Sequence, residues 1–143
     1  MKGKLRYILA FLVFALLGTY AIWKYTFRES DKNVASEKPD YAITASGLLE
    51  AFEKDEVAAN TLYLDKVLLV SGTVESVTPD TSGVSVYLKE SDALSGVICS
   101  FDKKSIDTAI IKKGLQVSVK GICTGYLMDV VMNKCSMEPV AKQ

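Results

Sequence analysis

The sequence predicts a mainly β domain, a small five-stranded Greek-key barrel, placed behind one membrane-spanning helix. Three observations carry that reading. From Lys66 onward, apolar residues recur at every second position in five runs, the period of a half-buried strand. Turn-forming segments separate those runs, and one helix-like insertion interrupts them. Ahead of them, residues 1–28 hold five cations (Lys2, Lys4, Arg6, Lys24, Arg28), no acid and a long apolar stretch.

That stretch, "MKGKLRYILAFLVFALLGTYAIWKYTFRES", runs without a charge from Tyr7 to Trp23. With its flanks it makes a helix about 26–30 Å long, close to the hydrocarbon thickness of a bilayer. Tyr7 at one end and Tyr20, Trp23 and Tyr25 at the other stand where interfacial aromatics belong. The alternative is a cleaved signal peptide, for which Thr19-Tyr20-Ala21 is a weak cleavage site. As an anchor, the segment divides the chain into a cytoplasmic N-terminus (1–6), a transmembrane helix (7–23), a polar tether (24–43) and the barrel domain (44–143). Lys2, Lys4 and Arg6 outweigh Lys24 and Arg28, whose side also carries Glu29 and Asp31. The positive-inside rule therefore directs the domain to the periplasmic side of an inner membrane. The tether contains Pro39 and lacks periodicity, and a flexible chain of its length spans roughly 25 Å.

The folded part opens with a helix. In "SGLLEAFEKDEVAANTLYLDK", Ser46 can cap it, and Leu48, Leu49, Phe52, Ala59 and Tyr63 recur at three- and four-residue steps. Glu50, Glu53, Asp55 and Glu56 read as its solvated face, and Asn60 as a residue that helps to stop it. "KVLLVSGTVESV" is a long strand whose central Gly72 predicts a bulge or bend. "VSVYLK" puts Val84, Val86 and Leu88 on one face, and "GVICSF" does the same with Val97, Cys99 and Phe101. "SIDTAIIKKG" reads as a short helix closed by Gly114. "LQVSVKGIC" aligns Leu115, Val117, Val119, Gly121 and Cys123 opposite Gln116, Ser118 and Lys120, and "DVVMNKCSM" is the last strand. A helix, three strands, a short helix and two strands give the succession of an OB-fold, with the short helix between strands three and four.

Three segments also resemble a known family: "AFEKDEVAANTLYLDKVLLVSGTV" (51–74), "GVICSF" (96–101) and "KKGLQVSVKGICTGYLMDVVMNKC" (112–135). Over residues 46–138 the order Ala59-Asn60, Tyr63, Lys66, Val70, Gly72, then Gly121, Cys123, Gly125, Asp129, Val130 and Cys135 is similar to the tRNA_anti-like OB-fold family of membrane-anchored, Bacteroidetes-type proteins. The resemblance implies the barrel and a membrane or export segment ahead of it. It implies no particular activity.

The composition narrows the function. There is no histidine, which removes Ser-His-Asp and Cys-His nucleophiles, HExxH zinc sites and imidazole proton shuttles. With three cysteines, an all-protein tetrahedral zinc site would need carboxylates. No metal, cofactor or catalytic residue is expected, and the chain reads as a non-catalytic module. Beyond residue 28 there remain 12 Lys plus Arg against 17 Asp plus Glu, about −5. That balance opposes counterion-release binding to nucleic acid. The expected ligand is instead a protein, peptide or glycan of the cell envelope, with a structural or assembly role as the second reading and single-stranded nucleic-acid binding as a less favoured third.

The surface on which OB-folds take ligands supplies the candidate binding residues Tyr87, Lys89 and Tyr126, with Asp129 at the barrel rim. Asp129 could bond a polar ligand or cap loop N–H groups. The cysteines leave two readings. All three can be small buried hydrophobes, or an oxidising compartment can join Cys123 to Cys135. Strand pairing then requires a wider loop or a bulge.

Overall fold

The computed structural model describes residues 2–27, 33–90 and 92–139. They divide into two units between Asn33 and Val34. The first is helix α1 (Lys2–Phe27). Its stretch Gly3–Tyr25 is long and apolar enough to cross a membrane, and none of it is buried within the chain. Large apolar side chains are exposed along it from Leu5 to Trp23, a surface suited to hydrocarbon rather than water. Thr19 donates its hydroxyl to the carbonyls of Ala15 (2.9 Å) and Leu16 (3.0 Å), so the helix satisfies it internally.

The second unit is the OB barrel. In chain order it comprises β1 (Tyr41–Thr44), α2 (Ala45–Lys54), α3 (Glu56–Tyr63), β2 (Val67–Pro79), β3 (Gly83–Leu88), β4 (Val97–Asp102), β5 (Gln116–Tyr126) and β6 (Val130–Glu138). Neighbours run β1-β2-β3-β4-β6-β5, and β5 closes the barrel on β2. The β4–β6 and β1–β2 pairs are parallel, the rest antiparallel. Long β2 serves two sides: Val67 to Thr73 pair with β5, and Val74 to Pro79 pair with β3 across an irregularity at Val74/Ser76. Gly72 sits at that change of partner. A Cβ there would come within 2.9 Å of the Ala45 Cβ, so only glycine lets α2 begin against the bend.

The predicted alternation holds on β3 and β4, where Val84, Val86, Leu88, Val97, Cys99 and Phe101 are buried. Leu48, Leu49 and Phe52 of α2 and Ala59 of α3 join the same core. They plug the barrel end where β2, β4 and β6 begin and β3 and β5 finish.

Several expectations are corrected. The single helix is two. Asp55, at φ −156°, ends α2 by donating its N–H to the Ala51 carbonyl (3.2 Å), and its carboxylate starts α3 by accepting from Ala58 N (3.0 Å). The first cap is Thr44, which accepts from Gly47 N at 3.1 Å, while Ser46 turns its hydroxyl to Glu90 (3.2 Å). Asn60 does not stop α3; the chain leaves the helix at Leu64 and turns at Asp65, φ 60°. Between β4 and β5, where the short helix is expected, Asp102–Ser105, Asp107–Ile110 and Lys112–Leu115 each close a single i→i+3 turn. Only Ile111 is buried there, with Ile106 packed at the edge, too little to hold a continuous apolar face.

The tether expected over 24–43 is shortened from both ends. Lys24 to Phe27 belong to α1, and the folded unit begins at Val34, itself only 3% exposed; residues 28–32 lie outside the described residues. Residues 34–40 lie along β5 and the start of β2. Lys120, expected on the solvent side of β5, is buried beneath them, donating to the Ala35 carbonyl (2.9 Å) and pairing with Glu138 (2.8 Å). Asp40 bonds Val67 twice, through its N–H (2.8 Å) and its carboxylate (3.0 Å).

The three cysteines are free, buried thiols. Cys123 stands opposite Met132, not Cys135. An extra residue on β6, with Lys134 at φ 52°, turns Cys135 inward to neighbour Cys99, its thiol donating to the Met132 carbonyl at 3.5 Å. Cys135 also occupies the space under Gly121, whose Cβ would lie 2.7 Å from its sulfur. The Cys123–Cys135 bridge is therefore not formed. The Cys135 contact and burial together push the Cys99 thiol well above its ordinary value, and burial raises Cys123.

Candidate functional site

The barrel rim gathers chemistry at one point. Residues 127–129 turn β5 into β6, and Met128 takes φ 151°, a region side chains rarely adopt. The turn carries Asp129 to the loop between β3 and β4. There one carboxylate oxygen, Oδ1, accepts from the Tyr87 hydroxyl (2.8 Å) and from the Gly96 N–H (2.8 Å). The Val130 N–H donates to the Gly96 carbonyl at 3.0 Å, completing the tie between the two loops. Gly96 has no room for a side chain: a Cβ would strike the Leu88 carbonyl oxygen and come within 2.9 Å of the Tyr87 ring. Asp129 thus caps a backbone N–H, though of the neighbouring loop rather than its own.

The four candidate residues fall into three places. Tyr87 and Asp129 meet. Lys89, two residues on, lines a separate shallow cavity of about 330 Å³ shared with Thr73, Glu75, Lys113 and Gly114. There the Lys113 ammonium, 2.6 Å from Glu75, holds that carboxyl below its ordinary range, with Lys89 a smaller contributor. Tyr126 is no surface platform. Its ring stacks on Phe52 at 5.2 Å and 22°, and Phe52 lies 6.2 Å from Tyr63, which meets Tyr41 edge-on at 5.4 Å.

Burial raises the Tyr87 phenol first, and its hydrogen bond to Asp129 adds to this, lifting the pKa from the ordinary 10.0 to about 12. The folded chain therefore keeps this proton longer than the unfolded one. The stabilisation is complete below pH 10 and is lost as pH rises toward 12. An ultraviolet titration of phenolate should show a component centred near pH 12 that Tyr87→Phe removes. An unchanged curve in that variant would place the high-pH group elsewhere.

A second feature has no signal in the sequence. Leu94, Leu127 and Met128, on the two joined loops, are 100%, 89% and 76% exposed. Beside them a cleft of about 380 Å³ opens between α2 and the β3–β4 loop. Leu49, Ala93 and Leu94 line it, with Glu50, Glu53, Glu90 and Asp92 among its walls. Only the fold brings α2 to that loop. Among the described residues, no group of three or more cysteines or carboxylates is arranged to hold a metal ion.

Comparison with solved structures supports the fold. A crystal structure from Klebsiella pneumoniae subsp. pneumoniae MGH 78578, provisionally described as a nucleic acid-binding lipoprotein, superposes with a TM-score of 0.58 at 15% identity, covering 76% of this chain and 98% of that one. A Leishmania major aspartyl-tRNA synthetase matches at 12% identity and TM-score 0.45, over 75% of this chain and 22% of its own. Entamoeba histolytica asparaginyl-tRNA synthetase gives 10% and 0.41, over 53% and 22%. No curated protein matches the chain. The family model named tRNA_anti-like matches residues 1–137, nearly the whole sequence: the chain belongs to the tRNA_anti-like family.

Proposed function

We propose that the protein is a single-pass inner-membrane protein that presents its OB domain on the periplasmic side as a non-catalytic binding module for a protein, peptide or glycan of the cell envelope. One observation carries this reading: a helix fit to cross a membrane precedes a barrel whose rim loops are fixed by Asp129 yet hold large apolar side chains in solvent. Exposed apolar tips on a braced scaffold are the mark of a recognition surface. The sequence supports the non-catalytic part, since it holds no histidine. Its support for the orientation is the cluster Lys2, Lys4 and Arg6 ahead of the span.

A second reading, binding of single-stranded nucleic acid, is favoured by the description of the Klebsiella structure. Against it stand the acidic balance beyond residue 28 and the packing of the candidate aromatic Tyr126 on Phe52. Photo-crosslinking in native membranes, with the probe at Leu127 or at Ser100 on the β4 outer face, tests the proposal. A discrete envelope partner at either position is expected. No partner at both, together with micromolar binding of single-stranded RNA at low salt, would replace this reading by the second.

A further inference from the structure

The two loops are joined through Gly96 and the cleft adjoins the first of them at Leu94, and the chemistry of these groups restricts what can cover them. Leu94 lies two residues before Gly96, and Met128 lies next to Asp129, which bonds Gly96 at 2.8 Å. The apolar tips therefore stand on loops held together rather than on free ends. On the α2 side, Ser95 donates to Glu53 (3.0 Å) and Ser46 to Glu90 (3.2 Å). These bonds draw the loop onto α2 and set the walls of the cleft. Glu50 and Asp92 are exposed, and among the described residues no lysine or arginine lines the cleft, Lys89 standing at the smaller pocket that adjoins it. The surface is thus apolar at its tips and acidic at its side.

Three kinds of occupant can cover exposed leucines. A second copy of this chain, paired two-fold through the same surface, would set these acids against themselves. An anionic bilayer would repel them. A polypeptide whose apolar side chains are flanked by lysine or arginine satisfies both halves, since the tips receive its apolar residues and the carboxylates its cations.

We propose that this surface, formed by Leu94, Leu127 and Met128 with Glu50 and Asp92, docks a basic, apolar-cored segment of a partner protein. The proposal names the partner chemistry of the binding module and rests on that reading.

The test uses the full chain in nanodiscs of zwitterionic lipid. The probe is a fluorescent synthetic peptide with a Leu-Phe-Leu core and two arginines on each side, compared with the same peptide flanked by glutamates. The arginine peptide should bind, the glutamate peptide at least about tenfold more weakly, and affinity should fall as salt rises. The pair Leu127→Ser with Met128→Ser, and separately Glu50→Gln with Asp92→Asn, should each weaken the arginine peptide about tenfold. These side chains are solvent-exposed, and far-UV circular dichroism of each variant should match the parent. Equal binding of the two peptides, binding of neither, or variants that bind as the parent would overturn the proposal. So would dimerisation through this face, or adsorption to anionic vesicles without peptide. Crosslinking separates its failure from that of the module: a partner captured at Ser100 and never at Leu127 removes this surface and keeps the module, whereas capture at neither removes both.

Discussion

Phe52→Ala should destabilise the barrel domain by about 3–5 kcal/mol, the range for truncating a buried phenylalanine. Phe52 is 1% exposed and closes the barrel end between the Tyr126 and Tyr63 rings, 5.2 and 6.2 Å away. Its loss leaves a cavity between α2 and the barrel that neither element can fill. Both are fixed independently, α2 by its Thr44 cap and Tyr126 by pairing with Val130. A domain of this size has roughly 5–15 kcal/mol in all, so the urea midpoint should fall steeply while the slope stays constant. Phe52→Leu, which keeps most of the volume, should cost far less. Equal midpoints for parent and alanine variant would mean that α2 is not part of the cooperative core.

Asp129→Ala should cost about 2–4 kcal/mol, because it strands two donors, the Gly96 N–H and the Tyr87 hydroxyl, in a partly buried place. Asp129→Asn keeps an acceptor oxygen and should recover most of the loss. It also removes the negative charge beside the phenol, so the high-pH Tyr87 transition should move down toward its ordinary value. A structural clamp predicts this order, alanine well below asparagine, in unfolding experiments. A residue serving only a ligand would leave stability unchanged in both variants.

The strands were legible because their burial is local. An inward residue on β3 or β4 is known from its neighbours two positions away, as with Val84, Val86 and Leu88. What escaped depends on distant partners or on breaks in that period. Nothing in "YAIT" announces β1, whose pairing with Leu68 to Ser71 is decided beyond two helices. Lys120 reads as solvent-facing because its cover, residues 34–40, comes from the far end of the domain. The reading of all three cysteines as small buried residues holds, whereas the Tyr126 platform and the Cys123–Cys135 alternative fail for one shared reason. An extra residue between Cys123 and Gly125, and another on β6 near Lys134, each reverse the in–out alternation. Tyr126 was thereby turned to pack, half-buried, against the core, and Cys135 from Cys123 toward Cys99. Of the candidate site, Tyr87 and Asp129 were each named in advance, with Lys89 and Tyr126, but not their contact; the exposed leucines beside it carry no periodicity to betray them.

The bond from Lys120 to the Ala35 carbonyl joins positions 85 residues apart. During synthesis residues 34–40 leave the ribosome before the rest of the domain, yet their resting place does not exist until the fifth strand has emerged and paired. The first-made stretch of the domain thus has to wait for a late strand, and a nascent chain halted before residue 120 would carry it loose.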